Sequence, residues 1–244
     1  MMSSERLIVA LDLPNVDLAE SLVYQLGNCV SFYKIGLSLI PIGGFSLVEK
    51  LKKQGKKVFL DLKLFDIAST VENSVKNLAD LDVDFLTVHG DPHVIRAAVK
   101  GRRDNKLKVL AITFLTNVDR LDLDNALVQS GDLTDLVVER AKKAFIEGAD
   151  GVIASAHESL RIRSLKESEG KLIVTPGIRR SKDSDKDDQK RVCSPRVAIQ
   201  NGSDFIVIGR PIHQSPHPKE TVFEMLTEIE NLEFKPKLSF AGKV

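Results

Sequence analysis

Residues 58–67 read VFLDLKLFDI, and the fold follows from how this stretch divides. Val58, Leu60, Leu62 and Leu64 alternate with Phe59, Asp61 and Lys63, the period of two expected of a β-strand whose faces meet different surroundings. One face is aliphatic throughout, whereas the other begins apolar and ends charged. Asp66 follows where the strand should give way to a loop. A carboxylate and an ammonium side by side, with a second carboxylate just beyond, can place opposite charges around a reacting carbon. An edge strand with a solvated face fits the same pattern, since polar side chains mostly sit in water. The other strands must decide between the two.

Seven more β-rich runs surround it: LIVAL (7–11), VSFYKI (30–35), DFLTVH (84–89), KVLAIT (108–113), GVIAS (151–155), KLIVTP (171–176) and DFIVIG (204–209). Between them, apolar residues recur every three or four positions over 16–26, 45–54, 67–81, 93–102 and 133–148, and again over 221–232, where Val222, Phe223, Met225, Leu226 and Ile229 predict a packed final helix. Alternating strands and helices imply parallel strands with helical crossovers. Eight such units suit a closed (β/α)₈ TIM barrel better than an open sheet, which would more usually carry five or six strands and a glycine fingerprint after the first. The first strand ends in ALDLPN and has no GxGxxG. The expectation is an α/β protein forming one (β/α)₈ barrel domain over 1–244, a common length for a barrel.

Bulk composition narrows the partners. The 35 basic and 34 acidic residues leave a net charge of +1, so no overall field argues for nucleic acid or an anionic membrane, and any anion site must be local. No run approaches the 18 apolar residues of a membrane span, because charges such as Lys34 and Glu49 interrupt each candidate. Cys29 and Cys193 lie far apart and form no CxxC pair, which points to a reducing, cytoplasmic setting and gives neither a redox role. Two connections are long: 116–132, with room for a short extra helix, and 177–195, GIRRSKDSDKDDQKRVCSP. The second suits either an idle solvated loop or a lid over an anionic substrate.

Catalytic groups of a (β/α)₈ barrel lie at the C-terminal ends of its strands. Here those ends carry Asp12, Lys34, Asp61 with Lys63, and His89 on the first four strands. Two Asp and two Lys are together near neutral, which limits the cost of taking them out of water. A purely structural ion-pair network has the same composition. Strands seven and eight are followed by TPGIR and IGRPI, and the loops there commonly bind phosphate in this fold. Gly177 and Gly209 would let a phosphate approach the backbone, and Arg179 and Arg210 offer bidentate donors.

These residues resemble those of the orotidine 5'-phosphate decarboxylase family, bacterial type. The resemblance runs from about Leu7 to Ile212 and is carried by Asp12 in VALD, Lys34 in FYKIG, DLKLFDI with Thr70, Thr116 in FLTN, TPGIR, DDQKR and VIGRPI. It implies a homodimer with shared active sites that decarboxylates orotidine 5'-phosphate to UMP without cofactor or metal. It further implies that Lys63 is the proton donor to the reacting carbon, that Asp61 lies near the departing carboxylate, and that Lys34 completes the network. Asp12 would hold a ribose hydroxyl, Thr116 would contact the pyrimidine, and Asp66 and Thr70 would reach the neighbouring subunit's site. Gln189, Gly209 and Arg210 would grip the phosphate, with Arg179 near the lid. Local departures are His89 followed by Gly-Asp-Pro-His, and DIAST in place of the commoner DI-x-NT.

Two rival readings follow from the residues. One is a metal-dependent sugar-phosphate enzyme with His89 and His93 as ligands, although Pro92 between them argues against a simple helical pair. The other is a silent barrel that only binds nucleotides or partners. His213 and His217, flanking Ser-Pro, are expected to be loop residues rather than ligands.

Overall fold

All eight expected strands form, in order and parallel, in a computed structural model that describes residues 3–102, 106–180 and 192–233. They are β1 (Leu7–Ala10), β2 (Phe32–Gly36), β3 (Lys57–Leu64), β4 (Phe85–His89), β5 (Lys108–Ile112), β6 (Gly151–Ile153), β7 (Leu172–Thr175) and β8 (Phe205–Ile208). Each pairs with the next and β8 pairs with β1, closing a barrel. Helices Val16–Leu26, Gly44–Lys53, Ala68–Ala79, Pro92–Gly101, Leu133–Ile146, Ala156–Arg163, Pro195–Gln200 and Pro218–Glu233 cover the outside. The 116–132 connection does carry a short helix, Arg120–Asn125, closed at its start by reciprocal bonds between Asp119 and Asp122.

Alternation along the strands builds two cores. Outward residues such as Tyr33, Ile35, Val58 and Leu60 pack under the helices. Inward residues fill the barrel: Phe32, Phe59, Phe85 and Phe205 meet edge-to-face with centroids 4.9 to 5.9 Å apart. Such aromatic contacts add about 0.5–1.5 kcal/mol each beyond their buried area. Two positions along, the inward face turns polar: Phe32 gives way to Lys34, Phe59 to Asp61 and Phe85 to Thr87. The aromatic layer is therefore the dry floor beneath a charged layer.

The N-terminal end of the barrel is fastened by a repeated device. Asp84, Asp150 and Asp204 each precede an even-numbered strand and accept the backbone N–H of Val58, Val109 and Ile173, at 2.9, 2.9 and 2.8 Å. Their own N–H groups donate back to the carbonyls of the same three residues. Each carboxylate also pairs with a cation from a covering helix or its end, Lys52 at 3.0 Å, Arg102, and Arg163 at 2.6 Å. Replacing Asp150, whose side chain is 16% exposed, with alanine leaves a buried N–H without its acceptor and is expected to cost about 2 kcal/mol. A thermal melt should show a fall of roughly 4–8 °C, and an unchanged midpoint would mean that the clasp is ornamental.

Candidate active site

The strands open at their C-terminal ends onto a cavity of about 710 Å³. Asp12 comes from the end of β1, Lys34 from β2, and Asp61 and Lys63 from β3, while Thr116, Gly177, Arg179, Gly209 and Arg210 complete the lining. Nine of the residues expected from sequence thus line one hollow.

The charged groups alternate in sign. Lys34 Nζ lies 2.9 and 3.1 Å from the two Asp12 oxygens and 3.3 Å from Asp61 Oδ2. Lys63 Nζ lies 2.7 Å from Asp61 Oδ1, which also accepts the Thr87 hydroxyl at 2.9 Å. The chain Asp12, Lys34, Asp61, Lys63 is most buried at its middle, where the Lys34 and Asp61 side chains are 9% and 15% exposed against 49% for Asp12 and 33% for Lys63. Burial alone would neutralise Lys34, but Asp61 and Asp12 outweigh it and hold the ammonium above its ordinary value. Burial likewise pushes the Asp61 carboxyl up, and Lys34 and Lys63 outweigh that and keep it below the usual carboxylate range. Both middle groups are therefore charged at neutral pH. Gly36 makes room for them, since a Cβ there would stand 2.9 Å from Asp12 Oδ1 and 3.2 Å from Lys34 Nζ.

Lys63 reaches the cavity through a distortion rather than through plain alternation. Leu60 pairs with Leu86 and Leu64 with Val88, so Asp61, Leu62 and Lys63 stand opposite the single residue Thr87. The two extra residues preserve the alternation, and Lys63 still faces inward beside Asp61. Its φ of 50° is unusual for a residue with a side chain and costs about 1–2 kcal/mol.

Other expected residues lie elsewhere. Asp66 and Thr70 are exposed and absent from the wall of their own cavity, and Asp66 Oδ1 accepts the Ile67 N–H at 2.7 Å. Gln189 lies outside the described residues, as does most of the 177–195 connection. The two ends of that connection are fastened together, with Arg179 N–H donating to the Cys193 carbonyl at 2.9 Å and Cys193 N–H to that of Gly177 at 3.2 Å. His89 ends β4 as expected but does not line the cavity; its imidazole pairs with Asp91 and packs on Phe65 with centroids 4.7 Å apart. His93 meets the same ring at 6.3 Å, and no three potential metal ligands come together among the described residues.

His213 corrects the sequence reading. It closes the short helix Arg210–His213 and lines the cavity, because the helical turn after Gly209 swings it back over the barrel mouth. Burial and neighbouring Arg210 outweigh Asp12 and hold its imidazole below the ordinary value. Phe114 also lines the cavity, beneath the Arg140 guanidinium at 4.6 Å, and nothing in the local sequence announces that contact.

The family model described as "Orotidine 5'-phosphate decarboxylase / HUMPS family" matches residues 5–225. The chain belongs to this family. Among its relatives, a protein of Jannaschia sp. (strain CCS1) named orotidine 5'-phosphate decarboxylase is 55% identical over 89% of this chain and 95% of its own length. One of the same name from Ruegeria pomeroyi is 53% identical over 94% of this chain and 95% of its own. The crystal structure of orotidine 5'-phosphate decarboxylase from Lactobacillus acidophilus superposes with a TM-score of 0.78 at 35% identity, covering 91% of this chain and 98% of that one. The closed parallel barrel is thus the architecture of an orotidine 5'-phosphate decarboxylase family member, a family of decarboxylases in pyrimidine biosynthesis.

Proposed function

We propose that the protein converts orotidine 5'-phosphate to UMP and CO₂ without a cofactor, using the Asp12, Lys34, Asp61, Lys63 network. The observation that carries this reading is one row of alternating charges, buried at its middle, facing a cavity that Gly209 and Arg210 also line. In the reaction, the bond from C6 of the pyrimidine to its carboxylate breaks and the electron pair stays on C6. The Lys63 ammonium stabilises that pair where it develops and then gives it a proton, forming the C6–H bond; solvent returns a proton to the amine. Asp61 holds the Lys63 amine at 2.7 Å and sets a negative charge beside the departing carboxylate. Lys34 anchors Asp61 from behind, and Asp12 faces the ribose hydroxyls.

Thr116 contacts the pyrimidine, while Gly209, Arg210 and Gln189 hold the phosphate, with Arg179 beside them. Binding energy gathered at the phosphate is thereby available to order the reacting end. Asp66 and Thr70 serve the neighbouring subunit's site in a homodimer. Support for that assembly comes from Phe65 and Ile67, which flank Asp66 and are 63% and 68% exposed, a cost that a partner surface would remove. Both cysteines are free thiols, which supports the reducing cytoplasm as the working compartment, and no helix among the described residues is long and apolar enough to cross a membrane.

The test is loss of orotidine 5'-phosphate absorbance on adding dialysed, EDTA-treated protein. Undiminished turnover is the expected result. No loss of absorbance with folded protein would sink this reading and favour the metal-dependent sugar-phosphate one, to be tried with sugar phosphates and added Mg²⁺.

A further inference from the structure

Thr87 occupies an unusual place in β4. Its side chain is fully buried, and it is the one residue opposite the two-residue bulge that carries Asp61 and Lys63. The Lys63 N–H can only donate, and Thr87 Oγ1 accepts it at 3.0 Å; the Asp61 carboxylate can only accept, and the Thr87 hydroxyl donates to it at 2.9 Å. One hydroxyl therefore fastens both the backbone of the cation and the head of the carboxylate. The Lys63 backbone stands in a left-handed conformation, which persists only where the surroundings hold it.

We propose that Thr87 is a positioning residue for the decarboxylation, its hydroxyl fixing Lys63 and Asp61 at the reacting carbon. This rests on the roles given to those two residues above. Thr87 itself lies outside the cavity wall and acts through them. Asp61 is faced by Lys34 from β2, by Lys63 from its own strand and by Thr87 from β4, with Asp12 of the β1 end behind Lys34. Among these, Thr87 is the uncharged member whose removal alters both the bulge and the ionisation of Asp61.

The experiment compares Thr87→Val, which keeps the shape, with Thr87→Ser, which keeps the hydroxyl. Steady-state decarboxylation is followed across pH with a thermal melt of each variant. Thr87→Val is expected to lose about 10- to 100-fold in kcat with little change in KM. Its acid limb should move to higher pH, because Asp61 loses a bond to its charged form. Thr87→Ser should stay within about 3-fold of wild type, with its acid limb in place. A valine variant with wild-type kcat and acid limb, or a serine variant that falls as far as valine, would overturn the proposal. If the valine variant does not fold, Thr87→Ala is read against Thr87→Ser by the same two quantities. Wild-type protein inactive on orotidine 5'-phosphate would strike the functional reading, whereas an active wild type, a dead Lys63→Ala and an unaltered Thr87→Val would strike only the role of Thr87.

Discussion

Lys63→Ala is expected to lower kcat by about 10⁴-fold or more, roughly 5 kcal/mol of transition-state stabilisation. The estimate combines two losses, since alanine removes both the cation beside the developing carbanion and the proton that quenches it. The fold should survive: the Lys63 side chain is 33% exposed, and Asp61 keeps Lys34 at 3.3 Å and the Thr87 hydroxyl at 2.9 Å. Single-turnover decay of the substrate absorbance checks the prediction, with a melting curve to confirm folding. Mixing Lys63→Ala with Asp66→Asn adds a second reading from the same protein. If sites are shared between subunits, hybrid dimers contain one intact site, and activity should return to about a quarter of wild type, the statistical yield of a two-fold assembly. No recovery on mixing would sink the shared site. Residual turnover near the wild-type rate in Lys63→Ala would sink the role of Lys63.

The largest loss of stability is expected from Lys34→Met. Lys34 is 7% exposed and lies between two carboxylates. Methionine fills much of the volume but leaves Asp61 buried with half of its compensation, an imbalance that costs about 3–5 kcal/mol. The pH dependence follows from the two shifts. The Asp61 carboxyl is lowered from its ordinary 3.8, so its contribution is complete above the unfolded value and is lost as pH falls through the folded one. Lys34 is raised above 10.5, so its contribution is complete below that value and is lost as pH rises through the folded one. The wild-type network is thus at full strength from about pH 5 to pH 10, and the deficit of Lys34→Met should be level across that window. Urea denaturation at several pH values measures it. A deficit under about 1 kcal/mol would mean that water screens this pair as it does surface ion pairs.

The strand pattern was legible because alternation carries a physical cause that survives into the barrel. Phe32 and Lys34, and Phe59 and Asp61, face inward as their spacing requires. Lys63 was placed correctly for an incomplete reason. The bulge adds two residues, and two is the smallest insertion that returns a strand to the same face; one extra residue would have sent Lys63 outward. Nothing in LDLKL marks the irregularity, since Leu62 is as aliphatic as its neighbours. Thr87 was hidden for a similar reason, because threonine suits any strand and only its partners reveal what it holds. His213 was misplaced because Ser-Pro nearby reads as a loop, while the turn that aims it into the cavity depends on where β8 ends. Asp84 and Asp204 were read as the opening residues of their strands, although each is a bond to the strand before.

Those aspartates make the barrel uneven around its circumference. Asp84 ties β3 to β4, Asp150 ties β5 to β6 and Asp204 ties β7 to β8, so each such pair gains a side-chain bond on top of its backbone pairing. Amide protons along a seam should therefore open to solvent together, in blocks two strands wide, and the cylinder would come apart by staves rather than by threads.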